Sequence, residues 1–261
     1  MIIVYILLSV LAVVLLSLVL AYFLKPELLT LPYSKFVSLF VSNPPVVDKE
    51  KYFADSRELE ANWQTIQSEL LGILKNDTAI PRFHEVDGLQ RFISAKDDVP
   101  WRVFGLKAFD KWIEPNCSKA PRTVELLKKM PNVSLAMLSI LDGGKHIPRH
   151  FGFFRGVFRY HLGLIIPDKS EGECYIICGG VRHDWKEGEG VLFDDTYVHE
   201  VWNKTNQRRV VLFLDVLRDN SLPRWLRPLN RLMYQKLAAS KRVRKAARRA
   251  EVVQDIEAQA A

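Results

Sequence analysis

Ser139–Pro167, SILDGGKHIPRHFGFFRGVFRYHLGLIIP, is the stretch on which the fold of this chain turns. From Val157 to Ile166 the residues alternate as a strand does, with successive side chains on opposite faces. Val157, Arg159, His161, Gly163 and Ile165 share one face; Phe158, Tyr160, Leu162, Leu164 and Ile166 share the other. Arg159 and His161 therefore point the same way from an apolar strand. Two cations side by side repel, so the pair makes sense where it shares an anion. Upstream, Asp142-Gly143-Gly144 and Pro148 signal a loop that carries His150. Downstream, FDDTYVHEVW (193–202) sets His199 after a short apolar strand, and RRVVLFLDV (208–216) opens a further strand on Arg208 and Arg209.

Working outward, VSLAMLSI (133–140), VFRYHLGLII (157–166), ECYIIC (173–178), GVLF (190–193) and RRVVLFLDVL (208–217) are five strand candidates. Gly-, Asp- and Pro-containing turns separate them, a pattern that suits a sandwich or jelly roll. Before them, LEANWQTIQSELLGIL (59–74) reads as an amphipathic helix, and a second helix is expected at 122–130 after Pro121. Cys174 and Cys178 share a strand face and Cys117 stands apart; the spacing is that of buried apolar residues, not of a zinc pair or a disulfide scaffold.

The ends of the chain differ from its middle. Residues 1–24 contain no charged side chain, and about 20 apolar residues are enough to cross a bilayer. A basic leader and a small-residue cleavage site are both lacking, so an uncleaved single-pass anchor is expected rather than a signal peptide. Lys25 and Lys35 follow the run, which places the main domain on the cytoplasmic side. Residues 25–57 read as a connector, 58–220 as the main domain and 221–261 as a basic amphipathic segment. That segment holds ten Lys or Arg and no acid between 221 and 250, then three acids, and so supplies the whole formal excess of seven. A charge-balanced core argues against a nucleic-acid partner; a lipid bilayer fits the basic segment better.

Four blocks, RHFG (149–152), RYHLGLIIP (159–167), FDDTYVHEVW (193–202) and RRVVLFLDV (208–216), resemble the aspartyl/asparaginyl β-hydroxylase family of iron(II)- and 2-oxoglutarate-dependent dioxygenases, which includes bacterial lipid A hydroxylases. Weaker likeness reaches back to 58–70. The resemblance implies a mainly β fold, a double-stranded β-helix of jelly-roll or cupin type with flanking helices. It implies Fe(II), 2-oxoglutarate and O2 as cofactor and cosubstrates. His150 and His199 are then the metal ligands, Arg209 holds the distal carboxylate of 2-oxoglutarate, and Trp101, Ser139, Arg159 and His161 are further cosubstrate contacts. His84, His146 and His183 are expected to be surface or loop residues.

The chain departs from the usual His-x-Asp/Glu motif at Gly152, so only two protein ligands are expected. Asp194 and Asp195 are candidates to orient an imidazole or a water there. The implied reaction is hydroxylation of an unactivated C–H bond. Two substrates compete: an acyl chain of a membrane lipid, suggested by the apolar run at 1–24, the basic segment and phenylalanines 151, 153, 154 and 158; or an Asp or Asn side chain of a protein, suggested by Gly152. A non-catalytic lipid-binding or scaffold role is the third reading, opposed by the intact His150, His199, Arg159 and Arg209.

Overall fold

A computed structural model of the protein describes residues 2–75, 79–109 and 111–251. Eleven strands are described: β1 (Val46–Val47), β2 (Trp101–Ala108), β3 (Lys111–Trp112), β4 (Val133–Leu141), β5 (His146–His150), β6 (Val157–Ile165), β7 (Cys174–Cys178), β8 (Val181–Asp184), β9 (Gly190–Phe193), β10 (His199–Asn203) and β11 (Arg209–Leu217). They form two antiparallel sheets, one ordered β1-β9-β6-β11-β4-β2-β3, the other β5-β10-β7-β8. This is the mainly β, jelly-roll type of fold expected.

Alternation decides which side chains lie between the sheets. Phe158, Tyr160, Leu162 and Leu164 of β6 turn outward, with Leu212 and Leu214 of β11, and build one apolar core under helices. Those helices include α5 (Trp63–Leu74), which offers Ile66 and Leu70, and α9 (Pro121–Lys128), which offers Val124 and Leu127. Helix α9 opens on Pro121, and Glu69 of α5 accepts from the free N–H groups of Arg122 and Thr123 at 2.7 and 2.9 Å. The opposite faces of β6 and β11 meet the smaller sheet across a second core of Val191, Phe193, Val211, Phe213, Ile176 and Val201. Arg159, His161 and Arg209 belong to this inner face.

The remaining helices are short except at the two ends. α1 (Ile2–Leu24) leads into a 3-10 turn (Pro26–Leu29) and α2 (Thr30–Ser38). α3 (Lys49–Tyr52) and α4 (Ser56–Ala61) precede α5; α6 (Phe83–Val86), α7 (Arg91–Ser94) and α8 (Glu114–Cys117) flank β2; α10 (Leu226–Ala238) and α11 (Lys241–Ala250) close the described chain. The helix expected over 59–74 is broken at Asn62, which leaves helical backbone at φ −110°.

Three expectations need amending. The stretch expected to be a connector packs as part of the domain: β1 pairs with β9, and Tyr33 and Val37 of α2 are buried against Leu222, Leu226 and Met233. The basic segment folds as two helices, α10 and α11. α11 folds back on the body, where Arg242 pairs with Asp87 at 2.6 Å and Asn116 donates to the Ala250 carbonyl at 3.2 Å; residues 252–261 lie outside the described residues. Third, a helix does occupy the N-terminal apolar run, with its described side chains largely exposed. Among the described residues, however, no helix is long and apolar enough to cross a membrane.

Candidate active site

His150 and His199 are cross-strand neighbours. His150 ends β5, rather than sitting on a free loop, and His199 opens β10; the two are paired in register, with ring centroids 4.1 Å apart. Each ring is oriented by its own backbone: Nδ1 of His150 lies 2.8 Å from the Pro148 carbonyl, and Nδ1 of His199 lies 2.9 Å from the Tyr197 carbonyl. A carbonyl only accepts, so each Nδ1 carries the proton and each Nε2 keeps its lone pair. Burial lowers the pKa of both, that of His199 to about 3, so both stay neutral. Two neutral imidazoles with free Nε2 atoms on adjacent strands suit a divalent transition metal.

Beside them, a carboxylate stands against the missing motif position. A Cβ added to Gly152 would lie 2.2 Å from Oδ2 of Asp195, and the Gly152 N–H donates to the Asp195 carbonyl at 2.7 Å. Glycine is thus required here by close approach, and Asp195 takes up the space a motif aspartate would need. Burial raises the Asp195 pKa to about 6 despite Arg159, whose Nη1 lies 2.9 Å away. Arg159 also donates from Nε to Asp215 at 3.1 Å and stacks on Phe213. The anions that Arg159 meets here are protein carboxylates.

Asp194 serves another purpose. Burial raises its pKa, but Arg218, Thr196 and Arg155 together outweigh that and hold it low. Asn43 and Arg218 donate to its Oδ2 at 3.2 and 3.0 Å, tying the segment before β1 to the loop that carries His199.

Deeper between the sheets the balance reverses. Arg209 is fully buried beside the Cys174 thiol, and among the described residues no carboxylate pairs with it. Its Nη1 donates to the Ser139 carbonyl at 3.3 Å and reaches Ser139 Oγ at 3.5 Å; Nε has no partner. Burial brings its pKa down to about 10, still charged at neutral pH. Trp101 donates to Ser139 Oγ at 3.0 Å. Neither ring nitrogen of buried His161 has a partner, nor does the indole N–H of Trp185, over whose ring Arg209 lies at 4.6 Å. Burial first, then Arg209 and Arg159, push the His161 pKa well down, so this ring is neutral. A buried cation with orphaned donors around it is costly unless an anion completes it.

Of the expected contacts, Trp101, Ser139, His161 and Arg209 converge, while Arg159, on the same strand face as His161 and sharing Phe213 with it, is paired with Asp195 and Asp215. Arg208 turns away, pairing with Asp142 at 2.8 Å. His146 stacks on Trp202 and His84 bonds Ser94, both apart from the cluster. His183 is nearer than expected: it is half-buried on β8, 6.5 Å from Trp185. Trp185 was not legible in the sequence, since it follows a polar edge strand with no periodicity to place it.

The sequence profile described as Aspartyl/Asparaginyl beta-hydroxylase matches residues 60–219. The chain belongs to this family. An ornithine lipid ester-linked acyl 2-hydroxylase of Rhizobium tropici is 36% identical over 76% of this chain and 67% of its own length. The human aspartyl/asparaginyl beta-hydroxylase is 32% identical over 66% of this chain, but the match spans only 22% of that protein. Among solved structures, a Cupin 2 conserved barrel domain protein from Salinispora arenicola overlaps 48% of this chain at 11% identity and a TM-score of 0.30, a likeness too slight to bear on function. The family is one of hydroxylases, and these two relatives are named for an ornithine-lipid acyl chain in one case and for aspartyl and asparaginyl residues in the other.

Proposed function

We propose that the protein is an Fe(II)- and 2-oxoglutarate-dependent dioxygenase that hydroxylates an acyl chain of a membrane lipid. The observation that carries the cofactor reading is the pairing of two neutral histidines with a deeper, uncompensated arginine. His150 and His199 would hold iron through Nε2. Arg209, with the hydroxyl of Ser139, would hold the distal carboxylate of 2-oxoglutarate by a charge-assisted contact, and the Trp185 indole N–H is free to join it. Bound iron supplies oxygen activation, with 2-oxoglutarate as its two-electron reductant. Asp195, fixed by Arg159, is placed to accept a hydrogen bond from a water beside the histidines. The apolar walls of Phe193 and Phe213 keep bulk water out.

Three things support lipid as the substrate: the similarity to the Rhizobium acyl hydroxylase, the apolar helix α1, and the exposed Phe151 and Phe153 directly after His150. On this reading α1 is a single-pass anchor, and Lys25 and Lys35 keep the domain on the cytoplasmic side. Gly152 and the human relative favour the second reading, β-hydroxylation of Asp or Asn in a protein. Mass spectrometry of membrane lipids with and without the protein separates the two. A gain of one oxygen on an acyl chain, dependent on His199, is expected. Unchanged lipids together with an oxidised Asp or Asn in a protein would favour the second reading.

A further inference from the structure

Helix α10 is apolar on two sides. Leu226, Met233 and Leu237 face inward, while Trp225, Leu229 and Leu232 form a second stripe, at i, i+4 and i+7, that faces solvent. Beside it, Phe36 and the following Leu39 and Phe40 of the α2 region are exposed in the same way. The two stripes touch: Phe40 lies edge-on to Trp225 at 4.9 Å, and Phe36 at 6.4 Å. Between the helices opens an apolar cavity of about 190 Å³, lined by Tyr22, Leu29, Pro32, Tyr33 and α10 side chains. An exposed apolar patch of this extent marks an interaction surface.

The surroundings choose the partner. The rim is basic: Lys35 and Arg224 are exposed, and neither 28–40 nor 221–250 contains an acid; the exposed Arg231 is already paired with Asp219 at 2.6 Å. Two copies of this face would bring like charges together, because a two-fold contact sets the same patch against itself. The face is also continuous with α1, since Lys236 of α10 lies over the rings of Tyr22 and Phe23 at 4.6 and 5.1 Å. Finally, it is tied to the active site. Ser34 of α2 donates to the Phe153 carbonyl at 2.8 Å and accepts from the Arg155 N–H at 2.7 Å, and Tyr33 stacks on Phe154.

We infer that the outward stripes of α2 and α10 seat the domain in the surface of an anionic bilayer, with the loop after His150 held at the lipid level. The apolar side chains enter the acyl boundary and the basic rim meets headgroup phosphates. This goes beyond an anchor. A single helix tethers a domain but does not orient it, whereas the face sets which end of the barrel meets lipid. The inference rests on the proposed membrane attachment for its direction, and on nothing about which substrate is oxidised.

The test uses the full chain reconstituted in phosphatidylcholine vesicles with or without phosphatidylglycerol. Leu39→Cys, Leu229→Cys and, on α5, Leu71→Cys each carry an environment-sensitive thiol dye. The native Cys117, Cys174 and Cys178 are buried, and the unsubstituted chain provides the labelling blank. At 39 and 229 the dye should shift to the blue and be quenched by lipids bearing a nitroxide on the acyl chain; at 71 it should do neither. Lys35→Glu with Arg224→Glu should reverse much of the quenching in anionic vesicles. Vesicle flotation reads attachment separately. A chain that floats while positions 39 and 229 stay as wet as 71 keeps the anchor and overturns the seating. Failure to float overturns both. A blue shift without lipid quenching, lost on dilution of protein in lipid, would mean that a second copy covers the face and contradicts the inference.

Discussion

Arg159 and Arg209 stand on the inner face of the same large sheet, on neighbouring strands, yet in opposite circumstances. Arg159 lies between two carboxylates, Asp195 and Asp215, which together overcome its burial and raise its pKa. Arg209 is buried more completely, and among the described residues its charge meets no carboxylate. A buried ion pair holds a structure in place, and losing one partner strands the other. A buried cation left alone is a binding site in waiting, because the protein bears its desolvation until an anion arrives. At the histidine end the arginine is already matched by protein carboxylates, and at the deeper end, among the described residues, it is not.

The largest effect expected from this contrast is at the histidines. His150→Ala or His199→Ala should remove bound iron and product to below detection, whereas His183→Ala should leave both nearly intact. Metal analysis with a hydroxylation assay checks this, and equal iron retention in all three variants would sink the ligand assignment. Next comes Gly152→Asp. A carboxylate added there collides with Asp195 and sets two anions side by side, so turnover should fall by at least about tenfold instead of improving. A rise in turnover would mean that Asp195 yields easily and that the site was merely impaired.

Arg159→Met should act mainly on stability. It leaves Asp195 and Asp215 without their cation, at a cost of about 3 kcal/mol, the lower end of the range for buried pairs because Arg159 is partly exposed. A shift in denaturant midpoint measures it, with unchanged stability as the contrary result. Smallest of all should be Arg208→Met. It breaks a partly exposed pair with Asp142, worth up to about 1 kcal/mol, and should leave the 2-oxoglutarate requirement as it was.

Much of this was legible in the sequence, unevenly. The strands at 133–141, 157–165, 174–178, 190–193 and 209–217 were found because each alternates or is continuously apolar over its length. β5 escaped because Pro148 and Arg149 interrupt HIPRH, and β8 because VRHD is a polar edge strand. β2 is divided by a bulge between Gly105 and Lys107, which spoils its period. Parity alone sets Arg208 and Arg209 on opposite faces, and the structure has Arg209 inside and Arg208 paired with Asp142 outside. Parity also put Arg159 beside His161, but could not say that two acids, from the 193–202 loop and from β11, close on Arg159. Ion pairing across strands depends on register, and no single strand carries that information. The same limit hid Trp185 and the fit of Asp195 against Gly152.

The contrast between the two arginines is tested most directly by 2-oxoglutarate binding, measured by isothermal titration of the metal-loaded full-length protein. Arg209→Met should weaken binding by roughly two to four decades, from a lost buried charge pair of about 3–5 kcal/mol. Arg209→Lys should recover only part of this, since it offers a point charge in place of a planar fork. Arg159→Met should weaken binding by less than about tenfold, because its charge is already spent on Asp195 and Asp215. Arg209→Met binding as tightly as the unsubstituted protein, or Arg159→Met proving the more damaging change, would contradict the account.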